Sequence, residues 1–387
     1  MSLRWTAALA AAVVLGLTTA APQGPAQASS PPSSLSLETT AAVPTPAQQL
    51  AKLTLDQRIG QVVMGGVPAT GASSSDLAMI KRYHMGNIFL SGRSSKGVAA
   101  TRKVTDALRA TVSSRSTGGT PLFIATDQEG GYVQVLSGPG FETIPTALHQ
   151  GRWLPRSVQV SAQRWGGQLR SAGVNVNLAP VADTVPASIG TYNLPIGYWN
   201  REFGNTPEHV AADVVAFSKG MKASGVAPVI KHFPGLGRVH LNTDISRGVT
   251  DTVTTRRDAY LRPFKDGIGA GARWVMVSNA YYSKIDARHI GPFSPTIMRT
   301  MLRTDLGFTG IVISDDLCNA AQLSPWSHST RARAFFNAGG TMLLCTDARD
   351  LPAMQRYMHD YALAHPAFRA KIDAAALKVL EVKHAGA

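Results

Sequence analysis

The sequence predicts an α/β fold, a single-domain TIM (β/α)8 barrel. Short apolar runs rich in Val and Ile recur eight times along the chain, most of them bounded by Gly. Amphipathic stretches of helical period separate them. The runs themselves do not alternate cleanly between polar and apolar residues, as expected of strands covered on both faces. Eight strand–helix units in series close on themselves as a barrel. The competing arrangement is an open doubly wound sheet, but no Gly-x-Gly-x-x-Gly follows the first run.

The runs lie at 60–68, 86–92, 121–127, 174–183, 226–233, 274–282, 310–315 and 341–347. Thr54 and Gln57 form a capping box that heads a helix before the first of them. The stretch 98–112 reads as the helix after the second. Ser294 as N-cap and Pro295 at the first helical position open another helix, with Ile297, Met298, Met301, Leu302 and Leu306 as its apolar stripe and Gly307 as its end. Residues 368–382 read as a closing helix. With 44% hydrophobic and 16% charged residues over 387 positions, the chain can bury one large core and wholesale disorder is excluded.

The N-terminal segment reads as a signal peptide, 1–28. Arg4 supplies the positive start, 5–17 is almost wholly apolar, and Ala26-Gln27-Ala28 is a small-x-small cleavage site before Ser29. The apolar run falls short of the roughly 20 residues a membrane span needs, so no anchor is expected after cleavage. No cysteine near the cleavage site offers a lipid attachment point. The expected location is secreted, extracellular or cell-wall associated. Residues 29–50, rich in Pro, Ala, Ser and Thr, read as a disordered linker, and 51–387 as the barrel.

The formal net charge is +14. A basic surface points to polyanionic neighbours such as an acidic cell wall. The Lys and Arg residues are scattered and no nucleic-acid motif accompanies them, so nucleic acid is not an expected partner. No His-Glu-x-x-His, Walker loop or dinucleotide loop occurs, so neither metal nor cofactor is expected. Gly-x-Ser-x-Gly is absent, which argues against an esterase of the α/β-hydrolase type.

In a barrel, chemistry sits where strands end. The third run ends Thr126-Asp127-Gln128-Glu129-Gly130-Gly131, the fourth Ala182-Asp183, the fifth Lys231-His232-Phe233-Pro234-Gly235, the seventh Ser314-Asp315-Asp316 and the eighth Thr346-Asp347. Carboxylates and cations thus converge on one rim. That equipment suits acid–base and nucleophilic work on a sugar acetal. Asp316 reads as structural and Glu129 as a carboxylate that supports its loop. Asp183 suits a sugar contact and a structural anchor equally. Tyr198 and Trp199 suit a stacking face or core packing equally.

The segments 127–131, 231–235 and 312–317 resemble the signatures of glycoside hydrolase family 3, in particular its bacterial β-N-acetylhexosaminidase branch. The likeness runs from about residue 55 to the last strand. It implies Asp315 as nucleophile, Lys231, His232 and Asp127 as holders of sugar hydroxyls, and Arg201 in Arg201-Glu202-Phe203-Gly204 as a further sugar contact. The implied partner is a glycan containing N-acetylglucosamine, from cell-wall fragments or chitin oligosaccharides.

Several positions depart from the family pattern. Its Asp-Ser-His triplet, whose His is the acid/base, is Asn242-Thr243-Asp244 here. Leu236 replaces a His in the preceding Gly-His-Gly, Val135 replaces a sugar-binding Arg, and Asn279 replaces the His at the end of strand six. Asp244 serves as the proton donor if burial or Asp315 raises its pKa. His240 on the same loop is the alternative. A non-catalytic glycan-binding barrel and a phosphorylase or transglycosylase are the competing functions. Cys318 and Cys345 close neighbouring strands, where a bridge and two separate buried thiols are both geometrically allowed.

Overall fold

Hydrogen bonds between consecutive apolar runs build a single parallel sheet in the computed structural model, which describes residues 20, 21, 24 and 44–386. Its strands are β1 (Val63–Pro68), β2 (Asn87–Ser91), β3 (Phe123–Thr126), β4 (Val176–Asn177), β5, β6 (Trp274–Val277), β7 (Ile311–Asp316) and β8 (Met342–Cys345). Seven fall inside the runs read from the sequence, and β7 extends one residue past its run, to Asp316. β5 has two parts, Ala227–Pro228 and Ile230–Phe233, interrupted at Val229. The first part pairs with β4 and the second with β6. The two ends of the sheet are therefore one broken strand, and the sheet closes as a (β/α)8 barrel. Val229 sits at the break and donates its N–H to the carbonyls of Asn177 and Ala179, so the interruption leaves no buried donor unpaired.

Strand pleating sends alternate side chains into the lumen. Phe123 and Ala125, Trp274 and Met276, Ile311 and Ile313, and Met342 and Leu344 fill it, with the Trp274 ring edge-on to Phe123 at 4.9 Å. The outward residues pack beneath the surrounding helices in a second, larger cluster. The closing helix spans Pro366–His384 and adds Val379 and Val382 to the lumen cluster. Its Lys383 ammonium binds Gln61 Oε1 and the Gly86 carbonyl at 2.8 and 2.9 Å.

The helix expected from Ser294 to Gly307 spans Thr296–Asp305 and is wound as a π-helix. Ser294 Oγ still accepts the Ile297 N–H at 3.2 Å. The helix expected at 98–112 spans Gly97–Arg109. The expected linker boundary at residue 50 needs correction. A helix Pro46–Lys52 runs across it, with its own capping box between Thr45 and Gln48, and Gln49 Nε2 is tied to Thr120 Oγ1 at 2.8 Å. Composition alone concealed this helix, because Pro44, Thr45, Pro46 and Ala47 continue the polar tract. Apart from residues 20, 21 and 24, the segment expected to be a signal peptide (1–28) and most of the expected linker lie outside the described residues. No helix among the described residues is long and apolar enough to cross a membrane.

Cys318 and Cys345 are joined in a disulfide with their Cα atoms 5.2 Å apart, linking the chain just after β7 to the last residue of β8. It closes a sequence separation of 27 residues. Chain-entropy arguments give about 3–4 kcal/mol for such a loop. The double substitution Cys318→Ser/Cys345→Ser should lower the stability measured by chemical denaturation by about that amount. An unchanged midpoint would mean that the strand ends are held equally well without the bond.

Candidate active site

The hairpin after β3 sets the first part of the site. Gln128–Gly130 pairs antiparallel with Val133–Gln134. Gly130 at φ +110° and Gly131 at φ +55° turn the chain, and a Cβ on Gly130 would run into the Pro145 carbonyl. The hairpin holds Asp127 at the strand end and drives Glu129 inward. Glu129 and Lys231 side chains are each only 3% exposed and meet at 2.6 Å. Lys231 Nζ also donates to Asp127 Oδ1 at 2.6 Å. Arg201 donates Nε and Nη2 to the two oxygens of Glu129 at 2.8 and 2.7 Å, a bidentate pair.

This network sets the charge states. Burial would push the Glu129 carboxyl up, but Arg201 and Lys231 outweigh it and hold it at about 2. Burial would likewise push the Lys231 ammonium down, and Asp127 and Glu129 reverse that to raise it. Both cations are therefore permanent, and one face of Asp127 is left for a ligand. Arg201 reaches the site from the loop after β4, where Gly197–Trp199 forms one turn and Asn200 takes a left-handed φ of +53°.

Asp183, fully buried, resolves as an anchor. Its carboxylate accepts the His232 and Leu236 backbone N–H groups and lies 2.7 Å from His232 Nδ1. That contact fixes the ring, so Nε2 is the nitrogen left for a ligand. A cis peptide joins Lys231 to His232.

On the opposite side, Asp315, the next-to-last residue of β7, is half-buried, with Oδ1 accepting the Asp316 N–H at 2.9 Å. Asp316 is the structural member of the pair. Its oxygens accept from Cys318 N, Asn319 N, Thr346 N and, at 2.5 Å, from Thr346 Oγ1. Asp316, Cys318 and Cys345 come close together as potential metal ligands, but the two sulfurs are bonded to each other and the carboxylate is already engaged.

The loop after β5 supplies Asn242, Thr243 and Asp244. Gln322 N and Ala321 N donate to the carbonyls of Thr243 and Asp244 at 3.0 and 2.9 Å, pinning this loop to the one after β7. Asp244 keeps solvent access at the mouth of the cleft while protein surrounds its carboxyl. That enclosure first, and the negative charge of Asp315 second, push it up to about 6. Arg201 and His232 pull the other way without cancelling the shift.

Asp127, Arg201, Lys231, His232, Asp244 and Asp315 all line one cavity of about 360 Å³ at the carboxyl ends of the strands. His240 does not. Its ring is exposed, its carbonyl accepts the Leu194 N–H, and it is absent from the lining. Val135 and Asn279 are also absent from it, whereas Leu236 contributes. Asn279 instead donates Nδ2 to the Asp316 carbonyl at 3.0 Å. Pro195 is a lining residue that no sequence pattern singled out, and Thr346, from the polar phrase that closes the eighth run, lines the cavity too. Tyr198 and Trp199 stand exposed beside Tyr132, with the Trp199 ring 4.9 and 5.3 Å from the two tyrosine rings. A permanent cation pair, a fixed imidazole, the Asp315 carboxyl and an Asp244 carboxyl with a raised pKa equip the cavity to grip a polyol and to attack and protonate an acetal.

A family model described as the glycosyl hydrolase family 3 N-terminal domain matches residues 54–382. Among solved structures, β-N-acetylhexosaminidase from Beutenbergia cavernae superimposes with a TM-score of 0.85 at 48% identity, over 86% of this chain and 99% of that one. The family 3 β-N-acetylglucosaminidase of Paenibacillus sp. superimposes with a TM-score of 0.74 at 27% identity, over 87% of this chain and 64% of that one. A β-hexosaminidase of Stenotrophomonas maltophilia (strain K279a) is 35% identical over 260 residues, 64% of this chain and 73% of that protein. The stretch matched by the family model contains every strand of the barrel and all nine lining residues named above, and the chain belongs to glycosyl hydrolase family 3.

Proposed function

We propose that this protein is a retaining exo-β-N-acetylhexosaminidase that removes terminal β-linked N-acetylglucosamine from cell-wall fragments or chitin oligosaccharides. The observation that carries the reading is the pairing, in one cavity, of Asp315 with an Asp244 carboxyl raised to about 6. The names of the similar proteins support the substrate class. Export, supported by the apolar N-terminal run, and a net charge of +14 fit contact with an anionic cell wall.

In the first step, an Asp315 oxygen attacks C1 and forms the glycosyl ester as the bond from C1 to the leaving oxygen breaks. Asp244 gives its proton to that oxygen. Asp244, now a carboxylate, then takes a proton from water as the water oxygen adds to C1 and the Asp315 carboxylate departs. Lys231, His232, Asp127 and Arg201 hold the hydroxyls. Phosphorolysis is disfavoured, since after the first step a phosphate acceptor would approach the Asp244 carboxylate, and like charges repel. A purely glycan-binding role leaves the raised Asp244 acid unexplained.

Asp315→Asn should reduce release of chromophore from an aryl β-N-acetylglucosaminide to near background. Turnover close to the parent level would sink the nucleophile assignment. Added phosphate should yield no sugar-1-phosphate.

Asp244 is protonated below its raised pKa, and a general acid works only while protonated. The parent kcat/KM should therefore fall as pH rises through about 6. Asp244→Asn should remove that limb and slow poor leaving groups by roughly 10²–10⁴-fold. A limb that survives in Asp244→Asn and disappears in His240→Asn would transfer the role to His240.

A further inference from the structure

The face of the barrel opposite the cavity carries a second feature. Phe308 and Thr309 lead into β7, and Gly339, Gly340 and Thr341 lead into β8. With Phe336, the π-helix and the closing helix, they enclose a groove of about 440 Å³ at the amino-terminal ends of the strands. Its charged residues are Arg299, Arg303, Lys371 and Lys378, and among the described residues no Asp or Glu lines it. Residues 1–43 contribute one positive charge, Arg4, and one negative charge, Glu38. The excess of +14 (38 Lys and Arg less 24 Asp and Glu) therefore belongs to residues 44–387, and this groove is a local concentration of it.

The four cations are largely unneutralised. Arg303 donates to the carbonyls of Phe308 and Gly310 and to Thr341 Oγ1 at 2.9, 2.7 and 3.1 Å, all neutral partners. Burial pushes it down to about 10, with no carboxylate to hold it up. Arg299 and Lys371 both reach Asn337, through its carbonyl and its Oδ1. Lys378 alone has an acidic partner, Glu381 at 2.5 Å, outside the groove. Arg303 and Lys371, half-buried without a counter-charge, are a standing cost that a bound anion removes, while Arg299 stands exposed beside them.

We infer that this groove is a binding site for a phosphodiester-bearing polyol chain, an anionic polymer of the kind that bears repeating phosphates without bases. Two guanidinium forks match phosphate oxygens. Four cations along one groove suit successive phosphates better than a single ion. The aromatic rings in the lining, Phe308 and Phe336, are 2% and 1% exposed, so no free ring face is present to stack a base, which disfavours nucleic acid. Because the groove lies at the strand ends opposite the cavity, a polymer seated there leaves the cavity open. The site does not depend on the glycosidase reading.

The test uses the full chain and three probes: poly(glycerol phosphate), a single-stranded DNA oligonucleotide of equal charge, and inorganic phosphate. Arg299→Gln/Lys371→Gln/Lys378→Gln removes three cations at little cost to folding, since none of the three is fully buried and each side chain makes a single polar contact. Exposed Lys52, Lys103 and Lys219, changed together to Gln, form a control of equal charge loss elsewhere. Poly(glycerol phosphate) should bind the parent with a steep salt dependence, and inorganic phosphate should compete for it better than chloride of equal ionic strength. The groove variant should bind about tenfold more weakly with a shallower salt slope, while the control keeps the parent's affinity. Equal weakening in both variants would reduce the effect to overall charge and overturn the site. So would no binding by the parent, no loss in the groove variant, or failure of inorganic phosphate to compete. Tighter binding of the DNA, lost in the groove variant, would replace the proposed ligand with nucleic acid.

Discussion

The contact between Glu129 and its two cations is the constraint around which the cavity is built. A carboxylate 3% exposed survives in the ionised form because Arg201 and Lys231 surround it. Those three residues come from the hairpin after β3, the loop after β4 and the second part of β5. One ion cluster therefore ties three strand ends together, and removing a single partner from such a cluster costs roughly 3–5 kcal/mol because it strands the remaining charge. The same cluster fixes which groups remain for a substrate. Asp127, 23% exposed, shares Lys231 but keeps access to the cavity.

The carboxyls across the cavity follow an opposite logic. Asp316 is saturated by four donors and holds the chain after β7 to the start of the loop after β8. Asp315, next to it, has one such contact and faces the cavity. Asp244 has no cation directly bonded to its carboxyl, so enclosure and the Asp315 charge control its acidity. Environment alone thus separates three aspartates into a tether, a nucleophile candidate and an acid candidate. Where the family pattern places an imidazole, a carboxyl with a raised pKa occupies the cavity mouth and covers the same protonation range from the opposite charge type.

Much of this was legible in the chain. The eight apolar runs located the eight strands of the barrel, because a strand buried on both faces must be apolar at consecutive positions. The polar phrases that end the runs located Asp127, Lys231, His232 and Asp315, because barrel chemistry gathers at those ends. The helix at Pro46–Lys52 was hidden by a tract of Pro, Ala and Thr, and its stability comes from the Thr45–Gln48 capping box and from Gln49 reaching Thr120, a contact 71 residues away. Neither the interruption of β5 at Val229 nor the π-winding of Thr296–Asp305 has a local sequence signal, since both answer to strand pairing and packing across the barrel.

By itself the sequence determined the barrel, the order of its strands and the carboxylates, cations and imidazole at their ends, because hydrophobic periodicity and strand-end chemistry are local properties. Only the tertiary structure decided the relations among those groups. It made Asp183 an anchor for His232, placed Asp244 in the cavity and left His240 outside it, joined Cys318 to Cys345, and gathered four scattered basic residues into one groove. Distance, burial and the field of neighbouring charges arise from segments far apart in the chain, and no local pattern encodes them.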